Sequence, residues 1–121
     1  MYYSEHDSSS ALTWTGAQTA CQPGHLTIIH DQATLDVVAS LIPGKLDVWI
    51  GLSDLAQDDW RWMDNSPISF KSWGSGQPNL KSQKCVVMEG AKNPIENRRK
   101  KWFTASCSSH FSSYICQWSS G

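Results

Sequence analysis

Four cysteines, Cys21, Cys85, Cys107 and Cys116, lie far apart in a chain of 121 residues and include no C-x-x-C pair. An even number of widely spaced thiols favours two disulfides formed in an oxidising compartment, so secretion or surface display is the expectation. Spacing alone leaves all three connectivities open. The competing reading is a zinc site, because Cys21 with His25 and Cys107 with His110 give short Cys/His spacings. That reading strands Cys85 and Cys116. Asn65-Ser66-Pro67 lacks a hydroxyl at its third position, so no N-glycosylation acceptor is present.

The length suits one domain spanning residues 1–121, with a real core and no room for a second. Seven tryptophans supply few but large core fillers, which argues for packing around aromatic anchors rather than a Leu-rich bundle. No apolar run nears the roughly 20 residues that span a bilayer, and Met1 to Ser10 is polar, so neither an anchor nor a secretory signal is expected. The chain reads as an excised domain with no direct membrane insertion.

Thr13 precedes Trp14, Ala17 and Cys21 at helical spacing, and Gln22-Pro23-Gly24 stops that helix. Leu26 to Ile29 reads as a strand. Asp31 offers an N-cap to a second helix whose Leu35, Val38, Ala39 and Ile42 share one face, closed by Pro43-Gly44. Short apolar runs follow at Val48 to Leu52, Trp60 to Met63, Ile68 to Phe70, Cys85 to Met88, Trp102 to Thr104 and Ser113 to Trp118. Between them, Ser72 to Lys84 has no period and reads as irregular loop. Two helices followed by short strands predict an α+β fold with antiparallel sheet.

Trp14, Ala17 and Cys21, then Gly24-His25-Leu26, Trp49-Ile50-Gly51-Leu52, the tryptophans Trp60, Trp62 and Trp73, and Tyr114-Ile115-Cys116 run nearly the length of the chain. Together they resemble the signature of the C-type lectin-like domain, in its short form. The resemblance implies two helices flanking small antiparallel sheets, a long irregular loop region, and disulfides Cys21–Cys116 and Cys85–Cys107.

It also implies where a calcium and sugar site would stand. Gln77-Pro78-Asn79 falls at the family's sugar-selecting triplet, as a hybrid of the Glu-Pro-Asn and Gln-Pro-Asp versions. The other ligand positions carry Gln83 in place of Glu, and Phe103-Thr104 in place of an Asn-Asp pair. Calcium takes 6–8 oxygens and its affinity follows their charge, whereas Gln77, Asn79 and Gln83 offer only neutral amides. At the auxiliary site Asp54 and Asp58 face Leu80 and Lys84, and an ammonium opposes a cation. Glu96 and Asn97 are the nearby groups able to compensate. The expectation is therefore no metal and no cofactor, with calcium as the alternative and altered galactose/mannose selectivity its consequence.

Charge is divided along the chain although the net is −1. Lys81, Lys84, Lys92, Arg98, Arg99, Lys100 and Lys101 all lie in the loop-bearing region, opposed there by Glu89 and Glu96. Such a cluster suits an anionic or sulfated glycan, an acidic protein surface or anionic lipid headgroups, while a solvated hairpin is the plainer account. Nucleic acid is not expected, since the cluster is short and the chain as a whole is not basic. His6, His25, His30 and His110 are scattered, and no nucleophile elbow, carboxylate pair or phosphate loop is present, which points to a binder rather than an enzyme. Ligand contacts are expected from Gln77, Asn79, Lys81, Gln83, Lys84, Arg98, Arg99, Lys100 and Lys101.

Overall fold

A computed structural model describes residues 2–5, 11–55, 59–78 and 83–118. Helix α1 (Trp14–Cys21) begins where the Thr13 hydroxyl accepts the Gly16 N–H at 3.1 Å, and turns Trp14, Ala17 and Cys21 inward. Helix α2 (Gln32–Ser40) begins where the Asp31 carboxylate accepts the Thr34 N–H at 2.7 Å. Each cap satisfies an N–H that the first helical turn leaves unpaired. Ile42 lies beyond the end of α2, yet is fully buried beneath it.

Seven strands form one sheet: β1 (Tyr2–Glu5), β2 (His25–Leu26), β3 (Asp47–Ser53), β4 (Arg61–Trp62), β5 (Cys85–Glu89), β6 (Trp102–Ala105) and β7 (Tyr114–Gln117). The path runs β1-β7-β3-β5-β6, with β2 on β7 and β4 on β3. The sheet is mixed rather than purely antiparallel, because β3 meets β7 in parallel at Trp49 and Tyr114. Strand β3 is covered on both faces from Val48 to Leu52, which is why that run is continuously apolar instead of alternating. A Cβ on Gly51 would sit 2.7 Å from the Leu26 carbonyl and 2.8 Å from that of Thr27. Glycine is what lets the two segments touch.

Three segments depart from the sequence expectation. Tyr2–Glu5 pairs with β7 although its own sequence is polar, because β7 supplies the apolar partner surface. Strand β2 stops at Leu26 since the Gln117 side chain takes the Ile28 N–H at 2.9 Å, replacing a ladder bond. Ile68 to Phe70 forms no strand; Pro67 bridges Arg61 but has no N–H to extend a ladder, and Ile68 and Phe70 pack against the core by their side chains.

In the core cluster that also takes Leu35, Val38 and Ala39 of α2, Trp62 and Trp102 meet nearly at right angles with ring centroids 5.4 Å apart. Trp73 lies 5.6 Å from Trp102, and Trp60 lies 5.2 Å from Trp73. These edge-on contacts match the attraction between ring quadrupoles. Disulfides join Cys21 to Cys116 and Cys85 to Cys107. All four thiols are thereby used, which rules out the zinc reading.

Candidate functional site

Strand β6 aligns with β5 so that Thr104 faces Val86, and the preceding loop folds back along it through a 2.9 Å bond from Gly74 N–H to the Trp102 carbonyl. Gly76, at φ +77, then turns Gln77 over Thr104. The Gln77–Pro78 peptide is cis. Gln77 Oε1 accepts the Thr104 N–H at 3.0 Å and its hydroxyl at 2.9 Å, while the same hydroxyl lies 3.2 Å from Gln83 Oε1. Thr104 is buried under the two amides.

This arrangement does not fit calcium. Both acceptor directions of Gln77 Oε1 are taken by Thr104, Gln83 is turned to the same hydroxyl, and none of the three carries the charge that offsets dehydration of a divalent ion. Phe103, at the remaining ligand position, lies against Gly74, where a Cβ would come within 2.4 Å of its ring. At the auxiliary position Asp54 is buried, accepts the Asp59 N–H, and donates its own N–H to the Lys84 carbonyl at 2.8 Å. Among the described residues no group of three or more His, Cys, Asp or Glu is placed to hold a metal. Asn79 and Lys81, and likewise Asp58 and Leu80, lie outside the described residues.

The basic segment forms a hairpin between β5 and β6, with a 3-10 turn at Glu96–Arg98. Its anchor is Glu89, 3% exposed, which pairs with Arg98 through both guanidinium Nε (2.8 Å) and a terminal nitrogen. Asn93, also 3% exposed, donates to Glu89 Oε1 at 2.6 Å and accepts the Ile95 N–H at 2.8 Å. The Arg98 guanidinium lies 4.1 Å from the Phe103 ring centroid, within the range of a cation–π contact. Lys100 adopts φ +63 and reaches Asp36 of α2 at 2.9 Å. The hydrogen bonds to that side chain, from Lys100 first and Gln32 next, hold the Asp36 carboxyl below its ordinary range.

Asp47 stands directly opposite Glu89 across β3 and β5. Burial, reinforced by the Glu89 charge and a hydrogen bond to it, pushes the Asp47 carboxyl up to about 6 against a partial counter-pull from Arg98. Glu89, Asn93 and Asp47 were absent from the expected site. Glu89 and Asn93 are four residues apart and share a hydrogen bond, but Asp47 is brought to Glu89 only by strand pairing across 42 positions (47 to 89), which no local window of sequence contains.

Residues 10–118 match the family described as the lectin C-type domain. The chain belongs to the C-type lectin domain family. It is 34% identical over 109 residues to the mouse (Mus musculus) low affinity immunoglobulin epsilon Fc receptor, covering 86% of this chain and 30% of that protein. Thus the chain spans under a third of that receptor's length. The carbohydrate-recognition domain of cow CD23, solved in the presence of a GlcNAc2Man3 oligosaccharide, superposes with a TM-score of 0.81 at 29% identity, covering 99% of this chain and 88% of that one. A calcium-independent type II antifreeze protein superposes with a TM-score of 0.75 at 29% identity, over 95% of this chain and 82% of its own.

Members of the C-type lectin domain family are binding modules rather than enzymes, and their partners are carbohydrates or proteins. Two disulfides and secreted or surface-displayed relatives make this an extracellular domain.

Proposed function

We propose that residues 1–121 form a single extracellular recognition domain that engages a protein or anionic glycan through its loop face without calcium. The observation that carries this reading is the bonding of Gln77, Gln83 and Thr104 to one another at positions where an ion would need outward-facing carboxylates. Opening that network for calcium would break the Thr104 N–H bond to Gln77 and the hydroxyl's single donated bond, and offer only neutral oxygens in return. The calcium-independent antifreeze protein supports it, as a neighbour of the same fold. The cow CD23 domain, crystallised with an oligosaccharide, supports a glycan among the candidate partners.

Calorimetric titration of calcium into the domain, followed by a glycan array with and without chelator, tests the reading. No heat at physiological calcium and chelator-insensitive binding are expected. Calcium heat together with chelator-sensitive sugar binding overturns the reading in favour of a calcium-dependent lectin using Gln77-Pro78-Asn79.

A further inference from the structure

Arg98, Arg99, Lys100 and Lys101 are consecutive in sequence, yet their partners differ. Arg98 is held inside the hairpin by Glu89 and covers Phe103. Lys100 is paired with Asp36. Arg99 is exposed and uses only Nε, which donates to the Asn93 carbonyl at 2.6 Å, so its terminal nitrogens have no partner among the described residues. The ammonium groups of Lys92 and Lys101 likewise have none among the described residues.

The hairpin that bears these three cations is fixed at its base. Glu89 N–H donates to the Lys101 carbonyl at 3.1 Å, and the Glu89 carbonyl accepts the Lys100 N–H at 3.0 Å. The side chain of the same residue binds Asn93 and Arg98 from within. Further along, the Ala91 N–H reaches the Ala39 carbonyl of α2 at 3.3 Å. Backbone fixed before a ligand arrives loses less conformational freedom on binding, so cations mounted on it bind better than the same cations on a free loop.

We propose that Lys92, Arg99 and Lys101 form a binding site for a sulfated polysaccharide, with Glu89 as the positioning residue that holds their hairpin in place. This deepens the loop-face reading and rests on it. Arg99 offers a guanidinium edge suited to a planar pair of sulfate oxygens, while the two lysines offer compact point charges for neighbouring groups. The hairpin's exposed large apolar side chain is Ile95, which provides little of the desolvated anchor that a protein interface uses. A polyanion needs no such anchor.

The experiment is surface plasmon resonance on immobilised heparin in chelator at about 0.15 M salt, where exposed charge contacts are screened beyond roughly 8 Å. Exposed ion pairs are individually weak, so three lost together predict an affinity drop on the order of tenfold for the Lys92→Ser/Arg99→Ser/Lys101→Ser variant. Its melting temperature should be unchanged. Glu89→Gln removes a negative charge, which by charge alone strengthens binding to a polyanion; the positioning role requires weaker binding instead, with loss of hydrogen-exchange protection at Lys100 and Lys101. Asp47→Asn, which keeps Glu89 and Arg98 paired, should bind heparin at least as well as wild type.

Tighter binding by Glu89→Gln overturns the positioning role. Wild-type affinity in the triple variant, or no binding by wild type in chelator, overturns the site. If the triple variant binds normally while Gln77→Ala/Gln83→Ala does not, the site fails and the calcium-independent loop face survives. Heparin binding that appears only when calcium is added removes the loop-face reading itself.

Discussion

Replacing Asp47 with asparagine should stabilise the domain at neutral pH and flatten its pH dependence. Asp47 faces Glu89 across two paired strands, and burial first, then the Glu89 charge, raises its carboxyl from 3.8 to about 6. Between those values the folded chain binds more protons than the unfolded one. The stabilising contribution is therefore complete below pH 3.8 and is lost as pH rises through about 6. At about 1.4 kcal/mol per pKa unit, the interval sets a ceiling near 3 kcal/mol. Asp47 is only partly buried, and solvent screening brings the expected effect to about 1 kcal/mol. An asparagine amide donates to Glu89 at every pH and carries no charge to repel it. Urea unfolding with disulfides intact should show the wild-type midpoint falling between pH 5 and pH 7, the Asp47→Asn midpoint holding level, and the variant the more stable at pH 7. A variant that is less stable at pH 7, or that keeps the wild-type slope, refutes the argument that this carboxyl is strained by its neighbour and by burial.

Restoring charge should restore an ion site: Gln77→Glu, Gln83→Glu and Thr104→Asp together should give measurable calorimetric heat at millimolar calcium where the wild type gives none, and continued silence would mean that charge is not what the site lacks. Removing Cys21–Cys116 should cost about 5 kcal/mol and removing Cys85–Cys107 about 3 kcal/mol, because their separations are 95 and 22 residues; paired Cys→Ser variants compared by urea unfolding check the order. Gly51→Ala should destabilise by roughly 2 kcal/mol or more, since its methyl would meet two backbone carbonyls that cannot rotate away, and a thermal melt that fails to drop would contradict the close approach of β3 to Leu26 and Thr27.

Much of the framework was legible in the sequence because its signals are local. Thr13 and Asp31 announce their helices, and the apolar run Val48 to Leu52 declares a strand. What escaped reading depends on partners far away. Tyr2–Glu5 is a strand only by virtue of β7, and the parallel contact of β3 with β7 has no local mark. At the candidate site the residue types revealed that carboxylates were missing. They did not reveal that Thr104 draws both glutamines onto itself. The run Arg98 to Lys101 looks uniform in one dimension, and only the buried Glu89 beneath it and the surface Asp36 of α2 separate the paired Arg98 and Lys100 from the cations left unpaired among the described residues.

Tyr2 is hydrogen-bond neighbour to Gln117, so the first and last described strands lie side by side. Adjacent strands stand about 5 Å apart, a gap that a few residues can close. Residues 2 and 117 are thus held within one strand spacing of each other, and a circularly permuted form, opened elsewhere and joined across this gap, should retain the same architecture.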